Sequence, residues 1–405
     1  MINYKKNQLY IENIPIYKII KKFGSPIYCY SLNKLKLNIE EFKKSFRSFN
    51  PLICFSIKSN SNLFILKQIK KFGLGADVVS KGELMMALKA GINPNKIVFS
   101  GVGKSINELK YAINKNIFLI NAESESEILK IEKIAKYKNK KIKIGIRLNP
   151  NIDAKTISKI STGKSENKFG LTSTNFLKII KKFKYSENLD IKCLSTHIGS
   201  QITSHIPYNN MLNVIDKIIK KSQHKFDYID LGGGMGISYN KNTKKLSYKK
   251  YNNLINKFLK KNRSKIIFEP GRSIIGDTAL LLTKILYIKK TNKINFVILD
   301  SAMNDLMRPA LYGAKHKIIP TKKKNKFNNT KHEFVGPICE TSDTFLSLPK
   351  FQNLVENETL AICDVGAYGM VLSSNYNLRV KPAEVMIDKS SMKIITKRQK
   401  LNSII

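Results

Sequence analysis

Arginine is scarce in this chain. Only 7 of its 72 basic residues are arginine, and the acidic residues number 29 in 405, which leaves a formal net charge of +43. A charge of that size ordinarily points to nucleic acid or an anionic membrane. Here the lysines run along the whole chain beside abundant isoleucine and asparagine, and no localised basic patch stands out. Such a surface predicts weak, nonspecific, salt-dependent retention on DNA and no specific nucleic-acid partner. Cysteine is sparse as well. Cys29, Cys54, Cys193, Cys339 and Cys363 form no C-x-x-C and no Cys/His cluster at zinc spacing. That excludes a structural zinc and a disulfide framework, and the expected compartment is a reducing cytoplasm. The opening MINYKKNQLY lacks the apolar stretch of a secretory signal. The longest apolar run, around 279–282, is far too short to span a bilayer, so no membrane partner is expected.

What is present is a rhythm. The chain is 42% hydrophobic, ample for a large core, and its length suggests two domains or one barrel with an appendage. After a helical stretch over 32–49, apolar strands ICFSI (53–57), ADVVS (76–80), KIVFS (96–100) and IFLIN (117–121) begin about every 21 residues. Helical patterns fill the gaps, and two of them open on capping boxes, Ser80 to Glu83 and Ser105 to Glu108. KIKIGIRLN (141–149), IKCLSTHI (191–198), FDYIDLG (226–232) and KIIFEPG (265–271) continue the series. Eight strand–helix units predict an α/β fold, a (β/α)8 TIM-type barrel over 31–274 whose last helix is the weakest. A doubly wound open sheet is the second reading, because periodicity does not show closure. From 275 onward the pattern turns to short β-rich runs, predicting a mostly-β domain over 275–405 that the N-terminal segment 1–30 joins. The Lys-Asn stretch 321–331 reads as an exposed loop.

In such a barrel the loops after the strands make the site. Strand 1 runs into Lys58, and a lysine at the end of a buried strand is unusual because burying an unpaired ammonium costs several kcal/mol. The same desolvation makes a neutral, nucleophilic amine accessible. The plainer reading is a lysine bending to solvent, and the other strand ends decide between the two. Strand 6 ends in His197, Gly199 and Ser200, and strand 7 in Asp230 and the glycines 232–234, which let backbone N–H groups approach an anion such as phosphate. Strand 8 ends in Glu269, Pro270, Gly271 and Arg272. Amine, phosphate-sized glycine loop, planar ring and carboxylate together make the set that a pyridoxal 5′-phosphate (PLP) enzyme requires.

The chain resembles the fold-type III PLP family of alanine racemases and basic amino-acid decarboxylases. FSIKSN, GADVVSKGEL, KFG (168–170), HIGSQI, DLGGGMGI, EPGRS, MRPALYGAKH (307–316), GPICETSDTF, DVGAYGM and NYNLRVKPAEV carry the resemblance over nearly the full length. It implies that Lys58 holds PLP as a Schiff base and His197 stacks on the ring. Ser200, Gly234 and the turn Glu269, Pro270, Gly271, Arg272 would bind the cofactor, with Glu269 at the pyridine nitrogen. Arg272, Arg308 and Tyr312 would hold substrate carboxylate. Cys339 would return a proton to Cα, Glu340 would read a distal amine, and Tyr368 would touch both phosphate and substrate. The resemblance also implies a homodimer with shared sites and a decarboxylation of meso-2,6-diaminopimelate.

Physical chemistry agrees with several of these assignments. Two of the seven arginines, Arg272 and Arg308, fall at carboxylate-binding positions, where a guanidinium fork outperforms lysine. Alone, Arg308 reads as a surface ion pair, Tyr312 and Tyr368 as core aromatics, and Cys339 as a small hydrophobe. Two departures stand out: Ser59 follows the lysine where a smaller residue is usual, and Lys81 replaces a usual glycine. Ornithine-, arginine- and carboxynorspermidine-type decarboxylases are the rival enzymes. A basic nucleic-acid-binding protein and a PLP-carrying protein without turnover are the rivals from other classes.

Overall fold

The computed structural model describes residues 2–154, 160, 162–164, 166–239 and 245–405. The chain divides into two compact units, residues 39–237 with 244–273, and residues 1–38 with 238–243 and 274–405.

The first unit is a closed barrel of eight parallel strands in chain order: Leu52–Ser56, Gly75–Val78, Ile97–Phe99, Leu119–Ala122, Ile142–Arg147, Leu189–Ser195, Tyr228–Asp230 and Lys265–Phe268. The eighth closes on the first through Ile267 opposite Leu52 and Phe268 opposite Ile53. Closure rules out the open sheet. Each interval from the first to the seventh strand is bridged by a helix, and the caps explain where several start. Asn62 accepts from the Phe64 and Ile65 N–H groups, and Ser105 with Glu108 makes a complete capping box. The box at Ser80 is half made: Ser80 accepts from Glu83 N–H, but the Glu83 carboxylate turns to Val79 N–H, 2.9 Å away. After the eighth strand only the one-turn helix Arg272–Ile275 forms. Phe42 and Phe46, in the segment preceding the first strand, pack edge-on against Phe268 and Tyr251, contacts each worth roughly 1 kcal/mol beyond area burial.

Inside the barrel, Cys54, Val98, Leu119, Cys193 and Ile267 pack into one apolar layer, which explains two of the five thiols as small hydrophobes. Side chains on a strand repeat their direction every second residue. Two residues on from those five lie Ser56, Ser100, Asn121, Ser195 and Glu269. The pleat therefore sets a polar layer directly on top of the apolar one, at the carboxyl ends of the strands. The site is built there.

The second unit centres on the long strand Ala279–Lys290. Its first half pairs with Ile27–Ser31 and Thr359–Cys363, and its second half with Ile294–Leu299. Ile27–Ser31 also pairs in parallel with Ala383–Asp388, so the N-terminal segment is an internal strand of this β-rich unit. Its core joins Leu9, Ile11, Ile27, Leu280, Leu282, Ala361 and Val385. Within 321–331, Phe327–Asn328 is not loop but a two-residue strand paired with Phe351–Gln352. Among the described residues, no helix is long and apolar enough to cross a membrane.

Candidate active site

The first strand stops at Ser56, and Lys58 sits in the following single turn, Ile57–Ser59. Its Nζ lies 2.9 Å from Asp77 Oδ2, the end of the second strand. The Lys58 side chain is 35% exposed and that of Asp77 fully buried, so the amine reaches solvent while its partner does not. Ser56 Oγ donates to the same Asp77 oxygen at 2.8 Å, whereas the buried Oδ1 has no hydrogen-bond partner. Glu83, half-buried nearby, has its carboxyl pushed up to about 7 by burial, with Asp77 adding to the rise.

Glu269 emerges at the eighth strand end, buried, and accepts from Ser100 Oγ at 3.1 Å. Burial, then the neighbouring Asp230 and Asp77 carboxyls, hold its pKa well above the usual carboxylate range. Asn121 Nδ2 donates both to Ser100 Oγ and to Asp230 Oδ2, at 3.1 and 2.8 Å. A Cβ on Gly145, across the strand pair, would collide with Asn121 Oδ1, so the fifth strand has glycine there.

His197 lies two residues past the sixth strand. Its Nδ1 accepts from the Gly233 N–H at 3.2 Å, which places the proton of the neutral ring on Nε2. Burial first, and the Arg147 and Lys58 cations second, hold its pKa well below the ordinary value. The unfolded chain takes up a proton here below about pH 6.5 and the folded chain does not, so stability drains away as pH falls through that value. His197→Asn should therefore flatten the decline of the urea midpoint between pH 7 and pH 5. An unchanged slope would show that His197 is not held neutral.

Arg147 closes the fifth strand, buried, with Nη1 2.9 Å from Glu123 Oε1 and Nη2 donating to the His197 carbonyl at 3.4 Å. The glycine loop after the seventh strand is tight. Added Cβ atoms at Gly233 and Gly234 would strike the Glu269 and Gly199 carbonyl oxygens, and Gly234 has φ +84. Arg272 Nη2 donates to Ser200 Oγ at 2.9 Å, tying the eighth strand end to the sixth. Ser56 N–H donates to the Pro270 carbonyl at 3.1 Å. Gly271 comes so close to Ser59 that a side chain would crowd it. Lys58, His197, Ser200, Gly234, Glu269, Pro270, Gly271 and Arg272 are thus all on the barrel's carboxyl-end rim.

The other candidates belong to the β-rich unit. Arg308 opens the short helix Arg308–Tyr312 and is buried, with Nη1 donating to His316 Nε2 at 2.8 Å and to the Tyr239 hydroxyl at 3.0 Å. His316 Nδ1–H donates to the Cys363 carbonyl at 2.9 Å, which fixes that tautomer. Tyr312, at the other end of the helix, is half-buried. Cys339 and Glu340 are exposed on a loop pinned by Asp343, which accepts from the Ile338 and Met303 N–H groups at 2.8 and 2.7 Å. The Tyr376 hydroxyl and Ser342 Oγ donate to Glu340 and hold its carboxyl below the usual range. Tyr368 has φ +57, a left-handed backbone uncommon outside glycine, between the tightly packed Gly366 and Gly369.

Sequence reasoning passed over Asp77, Ser100, Glu123, Asn121 and Arg147 as site residues. The signal was there for Asp77 and Asn121: each is a lone polar residue in an otherwise apolar strand.

The barrel rim fits PLP. It offers an amine with an acid beside it, a backbone cradle that no Cβ could occupy, and the buried, unsatisfied Asp77 Oδ1 and Asn121 Oδ1. The family model of the pyridoxal-dependent decarboxylases, pyridoxal binding domain, matches residues 32–276, and the chain belongs to this fold-type III PLP-dependent decarboxylase family. Its relatives there include diaminopimelate decarboxylases. It is 38% identical to that of Aquifex aeolicus over 100% of this chain and 96% of the relative. It is 41% identical to that of Helicobacter pylori over 96% of each chain. The crystal structure of the Helicobacter pylori enzyme complexed with L-lysine superposes with a TM-score of 0.92 at 40% identity, covering 96% of this chain and 98% of that one.

Proposed function

We propose that this protein is the carboxy-lyase that converts meso-2,6-diaminopimelate to L-lysine and CO2, the last step of lysine biosynthesis. The observation that carries the reading is the Lys58–Asp77 pair beside buried Glu269, in a chain that matches diaminopimelate decarboxylases over nearly its full length. When bound, PLP supplies an electron sink for the pair left at Cα as CO2 departs.

The chain's residues do the rest. Lys58 Nζ would hold the cofactor covalently, and Asp77 Oδ2, 2.9 Å away, orients the amine. His197 is assigned to the ring face, Ser200, Gly234 and the turn from Glu269 through Pro270 and Gly271 to Arg272 to the cofactor's remaining contacts, and Glu269 to the pyridine nitrogen. Arg272, Arg308 and Tyr312 would hold substrate carboxylate, and Tyr368 would contact both phosphate and substrate. The tie from His316 and Tyr239 preorganises the Arg308 fork for that task. Cys339 Sγ returns the proton to Cα, and anionic Glu340 reads the distal ammonium.

Cys339 and Glu340 stand on an exposed loop, which suits residues supplied to a partner's site, and the working unit is a homodimer with two shared sites. All five cysteines are unpaired thiols, which suits a cytoplasmic enzyme.

The test is a substrate panel with the PLP-loaded protein. Release of CO2 with L-lysine from meso-2,6-diaminopimelate, and none from ornithine or arginine, is the expected result. Release only from ornithine or arginine would move the specificity, and no release from any would sink the enzyme reading.

A further inference from the structure

The cations around the polar layer are already committed: Lys58 to Asp77, Arg147 to Glu123 and Lys104 to Glu127. Asp230 and Glu269 are left as two buried carboxyls linked through Asn121 and Ser100: Asn121 Nδ2 donates to Asp230 and to Ser100 Oγ, which donates to Glu269. The other titratable groups facing them add no positive charge. Asp77 comes from the second strand, Cys54 and Cys193 from the first and sixth, and Tyr251 from the helix Tyr248–Leu259. Burial holds both thiols and the phenol in their neutral forms. Two carboxylates buried in one polar layer disfavour each other's ionisation, so the pair shares one proton.

The hydrogen bonds say which member carries it. Asp230 accepts from Asn121 Nδ2 at 2.8 Å, Ser195 Oγ at 3.2 Å and Gly232 N–H at 2.9 Å, three donors that suit an anion. Glu269 accepts from Ser100 Oγ. The proton therefore sits on Glu269.

We propose that Asp230 and Glu269 form a proton-sharing pair that stores, in the apoenzyme, the proton required by the cofactor's pyridine nitrogen. The proposal rests on the assignment of Glu269 to that nitrogen. On binding, the Glu269 O–H bond breaks and an N–H bond forms on the ring. Glu269 is left as a carboxylate, Asp230 stays anionic behind it, and no proton is drawn from solvent for the ring. Asp230 is a positioning residue in this scheme: it acts on the cofactor through Glu269.

The experiment is calorimetric titration of full-length apoenzyme with PLP, in buffers of different ionisation enthalpy, above the pKa of the free ring nitrogen. Asp230→Asn removes the neighbouring charge, so Glu269, still held up by burial, ionises at lower pH in the variant apoenzyme, and at a pH between the two transitions the ring of the variant must take its proton from solvent. The variant should take up about one more proton per subunit than the wild type, since proton uptake follows the difference in protonation between the two states. Equal proton counts would overturn the proposal. Infrared spectra of the wild type provide a second readout that needs no variant. A protonated-carboxyl band in the apoenzyme, lost on adding PLP, is expected, and its absence would equally overturn the proposal. Glu269→Gln separates the two claims. If it abolishes the band while Asp230→Asn leaves the proton count unchanged, the shared proton falls and the pyridine assignment stands. If Glu269→Gln changes neither readout, both fall.

Discussion

Lys58→Ala should leave a folded protein with about 10⁴-fold less decarboxylase activity, equivalent to roughly 5.5 kcal/mol of transition-state stabilisation. The fold should survive for two reasons. The lysine side chain is 35% exposed, so truncation seals no cavity, and Asp77 keeps its hydrogen bond from Ser56 Oγ. Activity is lost because the amine that would hold the cofactor covalently is gone. Measured CO2 release within tenfold of wild type, at an unchanged melting temperature, would remove Lys58 from the chemistry. The same variant tests the dimer. Mixed with Cys339→Ala chains, it should recover about one quarter of wild-type activity, because half of randomly paired dimers are mixed and each has one intact site of two. Mixtures that stay as inactive as their parents would confine both residues to sites within one chain.

The barrel was legible because each of its units is local. A strand must be followed within about 21 residues by a helix that covers it, and caps such as Ser105 and Glu108 mark where that helix begins. The boundaries were less legible: the sixth strand ends at Ser195, not at Ile198, which puts His197 on a loop. The β-rich unit showed its texture but not its strand order, since Ile27–Ser31 finds its partner Ala383–Asp388 at the opposite end of the chain. Lys58, His197 and the glycine loop stood out as chemically unusual residues at strand ends. The polar layer beneath them did not. Whether Asn121 or Ser100 faces inward depends on a one-residue register, which alternating patterns in strands buried on both faces do not reveal. Arg147 hid in KIKIGIRLN, where a cation fits an alternating strand as an ordinary exposed residue.

Arg147 is where that hidden layer should register most strongly in stability. Its side chain is 9% exposed and that of its partner Glu123 is 3% exposed, so the pair is buried, and losing one member of such a pair typically costs about 3–5 kcal/mol. Glu123 also accepts from the Gly101 and Gly170 N–H groups, at 3.1 and 3.0 Å, which softens the blow. Arg147→Met should therefore destabilise the barrel by roughly 3 kcal/mol in urea unfolding, the lower end of that range. Arg147→Met with Glu123→Gln should recover much of the loss, because the uncompensated charge is gone. Catalysis should not recover with it. Arg147 also donates to the His197 carbonyl and helps hold that ring neutral, so both variants should show the acid limb of the activity profile moved to higher pH. A single variant within about 0.5 kcal/mol of wild type would make the pair an ordinary surface contact. A rescued double variant with a wild-type pH profile would separate the pair from His197, leaving it a structural ion pair that holds the third, fourth and fifth strand ends together.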